Sequence, residues 1–582
     1  MSIALRALAS IVLIAPMWHD ATKLVASEKT DIFHRPVAVA FDANSQCLFV
    51  ANGNTGTITS LNLATGKVIE SPKLGNAVKD LVIHPRGDSL TALVDTPHSA
   101  VNISLRTDTW SVESSFSLNV VPERIALAFD GEMACVTDVW NSQVEVLSID
   151  RGRFRSLDTQ ALPWMPKEVI AIRDGFVIAD AFDGSVAVLS PSRKIPPNFY
   201  SFRGHHIGGL AVDQENSNLL VTHQILSKTS HTTRDDIHWG SLMQNVVRSI
   251  PIAALSEANS NLDRVSRLFM LGDTGSGESD PAGVIVDGDH LLVAASGANH
   301  LVRIAMGTQF KTVIETAIHP TRLVRIDTRR IAVMGTLSDT IDIVNLDSLS
   351  LESRFGGRST AANLELLGEI AFHNANLSHD RWMSCSSCHV NGHAAQALAD
   401  TQGDASFQSP KRTPSLLSNA FTAPFGWTGN KPSMDSQLRQ TLETTMHTPL
   451  DETSKAEAIE QLKAYLRTLR LPELPQREPI EPEARQLFIA RGCAECHRPD
   501  HAWTSPNVFD VGVVDEVGHR KFNPPSLLGL RFRKRFFHDA RYKSLSEVLS
   551  EHPDPKSTWT EKELQLIQHY LHNLPLETPQ VP

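Results

Sequence analysis

The chain has 582 residues, 41% of them hydrophobic and 20% charged, an ordinary globular balance with length for more than one core. Its formal net charge of −11 excludes the basic field that phosphate binding requires, so nucleic acid is not an expected partner.

The first eighteen residues, MSIALRALASIVLIAPMW, place Arg6 before an apolar run from Ala7 to Trp18. That run is too short to span a hydrocarbon core of ~30 Å. It reads as a signal peptide within residues 1–26, with Ala21 or Ala26 as the cleavage position. No other stretch is long and charge-free enough for a transmembrane anchor.

Next come seven units of the form apolar alternation, short turn, apolar alternation. They start near Pro36, Ala77, Pro122, Pro166, Ile207, Pro281 and Pro320, at spacings of 39 to 45 residues except for one of 74. The spacing is that of a four-stranded propeller blade, and period-2 alternation between Gly, Asp and Asn turns marks antiparallel strands. Residues 27–356 are therefore predicted to form a seven-bladed β-propeller, whose ring leaves only short, protected sheet edges. The segment FVANGNTGTITSLNLATG, Phe49 to Gly66, resembles the YVTN-type propeller repeat. Cys47 and Cys135 fall in strand-like runs of the first and third blades. With a blade between them they exceed the ~7 Å Cα limit of a disulfide, so both read as buried free thiols. The long interval implies an insertion at 223–245 in the fifth blade, carrying His223, His231, Asp235, Asp236, His238 and Trp239. A loop of this size on one propeller face reads as either functional or solvated surface.

After Phe355-Gly-Gly the periodicity turns helical, and the linker FGGRSTAAN leads into LELLGEIAFHN. Cys385-Ser-Ser-Cys388-His389 and Cys493-Ala-Glu-Cys496-His497 repeat one pattern. A zinc ribbon would not need a histidine after each pair, and ~100 intervening residues exceed its usual spacing. A thioredoxin-like dithiol would sit in a βαβ unit, which neither motif does. Covalent haem fits: two thiols add across the two vinyl groups on one porphyrin edge, and the adjacent histidine lies under the iron as its proximal ligand. Two covalent c-type haems are the expected cofactors. Attachment of this kind is extracytoplasmic in bacteria, which makes the expected location periplasmic.

The helical part divides into two copies, 363–471 and 482–582, joined by the proline-rich LPELPQREPIEP. TPSLLSNAFTAPFGWTGNKPSMDSQL in the first parallels PPSLLGLRFRKRFFHDARYKSLSEVL in the second, setting Trp427 on His538. Each ends in an amphipathic helix, with Ile459, Leu462, Leu466 and Leu469 on one and Leu564, Ile567, Leu571 and Leu574 on the other. Each copy is predicted to be a small, mainly α cytochrome c domain.

On both haem motifs, RTPSLL (412–417), FGWTG (425–429) and FFHDARYKSLSEVL (536–549), this region resembles the bacterial di-haem cytochrome c peroxidase and MauG-like family. The resemblance implies a second-domain distal ligand fourteen positions after His538, which is His552, so that this iron would be bis-histidine between His497 and His552. It implies that Trp427 lies between the haems as an electron relay. Gln437 and His447 fall on the family's distal-pocket glutamine and glutamate. Two departures stand out: the family's loop histidine has no counterpart near DASFQ, and Met446 lies beside His447. Arg412 stands where the family has an asparagine that ligates an inter-domain calcium, which argues against that ion here.

Two functions follow. In one, haem 1 is open to hydrogen peroxide, His447 serves as acid and base, and haem 2 supplies electrons through Trp427. In the other, Met446, His447 or His393 ligates that iron, and the protein is an electron-transfer cytochrome that docks a partner through its propeller. Either would work with a redox partner protein or a small-molecule electron donor.

Overall fold

The structure, a computed structural model, describes residues 31–574 apart from 106–109, 191–195, 214, 216, 396, 421, 473–480 and 553–558. The predicted signal peptide and most of the proline-rich linker lie outside the described residues.

Seven antiparallel four-stranded sheets follow one another, spanning Pro36–Glu70, Ala77–Ser117, Arg124–Ala161, Pro166–Ser201, His205–Met270, Pro281–Glu315 and Pro320–Gly356. Within each sheet, spatial order equals chain order. The innermost strands begin within two residues of the expected starts, because the alternation that marks a strand also sets its register. Second strands such as Ser89–Asp95 and Gly175–Asp180 are almost wholly buried, since neighbouring blades cover both faces. The fourth strand Ser111–Ser117 lies at a blade's outer edge and is largely exposed.

Innermost strands of successive blades touch, and Pro320–Arg325 touches Pro36–Asp42, which closes the ring. First and last blades share no strand, so side-chain packing and a backbone bond from the Asp31 N–H to Gly357 O at 2.8 Å make the closure. Phe33, Leu48, Val50 and Leu61 pack on Met334, Ile341 and Ile343, while Arg35 donates its backbone N–H to Asp339 Oδ1 at 2.8 Å. Cys135 is buried and free, and burial pushes its thiol up to about 12; Cys47, also free, is only half-buried at the start of its strand.

The fifth blade corrects the expected insertion. Strands Asn218–Leu226 and Met243–Pro251 pair along their whole length, so the projecting segment is only 227–242. His223 is a core residue whose Nε2 accepts from Arg248 Nε at 3.1 Å. The segment carries a short helix, Arg234–His238, capped by the Thr233 side chain, which accepts from the Asp236 N–H.

In the first helical copy, helix Leu364–Phe372 crosses helix Glu452–Leu466 so closely that a Cβ on Gly368 would meet the Gln461 carbonyl oxygen at 1.9 Å. In the second, Pro482–Ala490 packs on Glu561–His572 and buried Ala484 takes the place of Gly368. Phe372 packs on Tyr465 and Phe488 on Tyr570, at ring separations of 5.2 and 5.6 Å. Ile459, Leu462, Leu466, Ile567, Leu571 and Leu574 are buried as expected from their spacing. One apolar cluster joins Phe182 of the propeller, Val390 and Leu417 of the first copy and Phe532 of the second. All three bodies therefore share a core. Among the described residues no helix is long and apolar enough to cross a membrane.

Candidate functional site

Cys385 and Cys388 bound a single helical turn whose N-terminus is capped by Ser384, its side chain accepting from the Ser386 N–H at 3.1 Å. Burial pushes both thiols up to about 12. Both cysteines and His389 line a cavity of about 300 Å³, whose far wall includes Trp427, Gln437, Met446 and Asp400. Gln437 comes from helix Met434–Gln440, which continues as a wider turn in which Met446 N–H bonds to Thr441 O at 2.9 Å. Nine residues of straight α-helix would put Met446 on the face opposite Gln437. The i→i+5 turn winds less per residue and returns Met446, 2% exposed, to the cavity side.

The residues present fit a haem. Arg412 and Arg533 line the same cavity, and burial pulls their guanidinium pKa values down to about 9 and about 10. Their hydrogen bonds run to the backbone carbonyls of Phe537, Thr413, Ser526 and Leu528, and among the described residues neither makes an ion pair. Two buried cations without a carboxylate match the two propionates that a haem carries.

In the second copy the His497 and His552 rings face each other with centroids 6.5 Å apart. Two metal–imidazole bonds of about 2 Å, plus about 1 Å from each ring nitrogen to its ring centre, require nearly that distance. The His497 Nδ1 lies 3.4 Å from the Trp503 carbonyl, which leaves Nε2 as the nitrogen for iron.

His447 and His393 lie elsewhere. The His447 Nε2 is 2.8 Å from the Thr232 carbonyl of the propeller insertion, and His447 is not among the residues lining the cavity. An acid–base role at the cavity does not suit that position. His393 is bonded at both ring nitrogens, Nδ1 to Ser415 Oγ at 2.9 Å and Nε2 to Phe532 O at 3.2 Å, and sits among Trp140 and Phe182 of the propeller. Neither nitrogen is left for iron.

The insertion clasps the first copy. His231 Nδ1 pairs with Asp400 Oδ2 at 3.0 Å, Thr232 N–H bonds to Asp400 O at 3.3 Å, and His238 Nδ1 pairs with Asp380 Oδ2 at 2.7 Å. Asp400 is 2% exposed and lines the cavity, so His231 connects that wall to the propeller surface. Sequence reasoning missed Asp400, since an aspartate in LADTQGD carries no mark of its partner 169 residues away.

Trp427 lies on the seam between the copies. Its indole N–H donates to Arg412 O at 2.8 Å, its carbonyl accepts from Asn523 N–H at 2.8 Å, and its ring is 6.4 Å from that of His538. The Arg412 guanidinium lies 5.2 Å from the indole centre. Nearby, Lys411 Nζ bridges Asp404 at 2.6 Å and Asp515 at 2.9 Å, so an ammonium group neutralises the acids that join the two copies.

Residues 362–471 and 489–573 match the family model of di-haem cytochrome c peroxidase. The methylamine utilization protein MauG of Methylorubrum extorquens is 24% identical, over 38% of this chain and 79% of that protein. Hydrazine synthase of Kuenenia stuttgartiensis aligns with 55% of this chain and 98% of its own at 14% identity and a TM-score of 0.46. Virginiamycin B lyase of Staphylococcus aureus aligns with 52% and 92% at 14% identity and a TM-score of 0.39. The cavity, the paired cysteine–histidine motifs and the family match lead to one conclusion: a MauG-like domain of the di-haem cytochrome c peroxidase family, fused to a seven-bladed β-propeller, makes this chain a haem-dependent redox protein.

Proposed function

We propose that the chain is a periplasmic di-haem c-type oxidoreductase with peroxidase-like chemistry. Cys385, Cys388 and His389 would hold one haem, and Cys493, Cys496, His497 and His552 the other. The observation that carries this reading is the 6.5 Å separation of the His497 and His552 rings. Such a pair would hold one iron from both sides, which would leave substrate chemistry to the His389 site. A haem held there by Cys385, Cys388 and His389 would supply electron-transfer and peroxide-reducing chemistry.

Reducing one peroxide to two waters consumes two electrons and two protons, so the site needs a route for each. Trp427, held rigidly on the seam, is the electron route from the second copy. Asp400, in the cavity wall, is the group that gives and takes a proton, and His231 behind it exchanges protons with solvent through a ring 31% exposed. Gln437 orients the oxygen substrate with its amide. The periplasmic location rests on the covalent-haem motifs and the signal-like N-terminus. Electrons enter from a redox partner protein or a small-molecule donor.

The second reading, an electron-transfer cytochrome without peroxide chemistry, is favoured by Met446, a buried thioether on the cavity wall. Electron paramagnetic resonance of the ferric holoprotein separates the two. The proposal expects one low-spin and one high-spin iron and rapid peroxide consumption. A protein wholly low-spin and inert to peroxide, in the half-reduced form as well, would replace it with the second reading, and Met446→Ala would then create a high-spin iron.

A further inference from the structure

The two haem motifs differ between their cysteines: Ser386-Ser387 in the first, Ala494-Glu495 in the second. Glu495 is exposed to solvent. Ser384, Ser386 and Ser387 are 3, 2 and 0% exposed, and all three hydroxyls converge on one propeller side chain, Asp280. Ser384 Oγ donates to Asp280 Oδ2 at 2.6 Å, Ser387 Oγ to Oδ1 at 2.6 Å, and Ser386 Oγ to Oδ2 at 3.3 Å.

Asp280 is 2% exposed and lies immediately before the innermost strand of the sixth blade, in the left-handed region at φ 52°. Neighbouring blade residues complete the grip. His205 Nε2 lies 3.0 Å from Ser387 O, Gln224 Nε2 donates to Ser387 Oγ at 3.3 Å, and Asn245 Nδ2 donates to Trp382 O at 3.1 Å. Among the described residues no lysine or arginine pairs with Asp280. The His206 Nδ1 lies 3.7 Å from its Oδ1. A carboxylate this deep is costly without donors, and the hydroxyls of the haem-attachment turn supply them.

We propose that Asp280 is a positioning residue of the first haem site, fixing the Cys385–Cys388 turn against the propeller and holding the attached haem's reduction potential low with a buried negative charge. The inference rests on the haem reading above. Reduction adds an electron, which a fixed negative charge opposes. Among the described residues no buried carboxylate bonds to the second copy's motif, whose own Glu495 is exposed, so its haem serves as an internal reference.

The test is spectroelectrochemical titration of both haems in the full-length holoprotein. Asp280→Asn keeps the shape and removes the charge, so the first haem's potential should rise by on the order of tenfold in the haem-to-haem electron-exchange equilibrium, about 59 mV for one electron. Ser387→Ala keeps the charge and removes a hydroxyl that neutralises it, so the same potential should fall. Opposite signs at the first haem with the second unmoved support the inference, because loosened packing alone would shift both variants in one direction. Shifts of the same sign, or an unmoved first haem in Asp280→Asn, overturn it. If Asp280→Asn fails to load the first haem, Ser387→Ala decides alone, and an unmoved potential there overturns the inference. Mass spectrometry of the wild type keeps the two readings apart: a chain without haem on Cys385 and Cys388 ends the functional proposal itself, whereas unmoved potentials in a two-haem protein end only this inference.

Discussion

The two cytochrome copies share a covalent motif and a helix crossing but face different surroundings. The first is pressed against the propeller at its Cys385–Cys388 turn, through Ser384, Ser386 and Ser387, and across the cavity wall and beyond it, through Asp400 and His447. The second contributes Phe532 to the shared core but leaves Glu495 of its own motif in solvent. In the second copy the surroundings of the cysteine–histidine motif come from within, as the His497 and His552 rings lie 6.5 Å apart. In the first they are completed by residues more than a hundred positions upstream. A site built at a seam can be adjusted by either body, whereas a self-contained one depends on its own copy alone.

The sharpest way to break this comparison is to remove one motif. Cys385→Ala with Cys388→Ala should lose one of two covalent haems by mass spectrometry of the denatured protein and leave the low-spin spectrum of the other intact; loss of both would show that the copies do not load independently. Next in size is His552→Gly, which should turn the second copy's low-spin ferric signal high-spin or water-ligated while the first copy's signal stays in place. An unaltered spectrum would remove His552 from the iron.

The helix crossings give a smaller, purely structural contrast. Gly368→Ala forces a Cβ against the Gln461 carbonyl and should cost about 1–3 kcal/mol, whereas Ala484→Gly in the second copy should cost about 1 kcal/mol. Denaturant unfolding read by the haem bands would measure both, and equal losses would mean that the crossings are equally loose.

The smallest effect concerns the seam between the copies. Burial would raise the Asp515 carboxyl, but hydrogen bonds from Lys411 and His519 outweigh it and hold the group well below its ordinary value of 3.8. A carboxyl depressed on folding adds stability that is fully present above its unfolded value and lost as pH falls through its folded one. Wild-type stability should therefore decline below about pH 4. Asp515→Asn should flatten that part of the profile, measured as unfolding midpoint against pH; an unchanged slope would show that the Lys411 bridge does not hold the copies together.

Much of this was legible in order along the chain. Alternation at Ala77–Ile83 and Pro320–Arg325 marks strands because side chains must face opposite sides of a sheet, and the repeat of that pattern counts the blades. Even so, the local pattern sets the insertion's start at His223 and not at Ser227, because a prolonged strand carries the same local pattern as a strand end followed by polar residues. His447 shows the other kind of miss. Its alignment with a distal acid located it in sequence, but a φ of 46° and the Thr232 carbonyl turn it toward the propeller, while the wider turn before it brings Met446 to the cavity.

By itself, then, the amino-acid order determined what depends on neighbours a few residues apart: the blade period, the Cys-x-x-Cys-His spacing that matches one porphyrin edge, and the apolar face of each terminal helix. Tertiary structure alone decided which polar groups meet. Asp280 stands 104 residues from Ser384 and His231 stands 169 from Asp400. A serine or an aspartate has the same local preferences whether it faces water or a buried partner. Only closure of the ring and docking of the helical copies take the water away, and from that point each such group must find its hydrogen bond inside the protein.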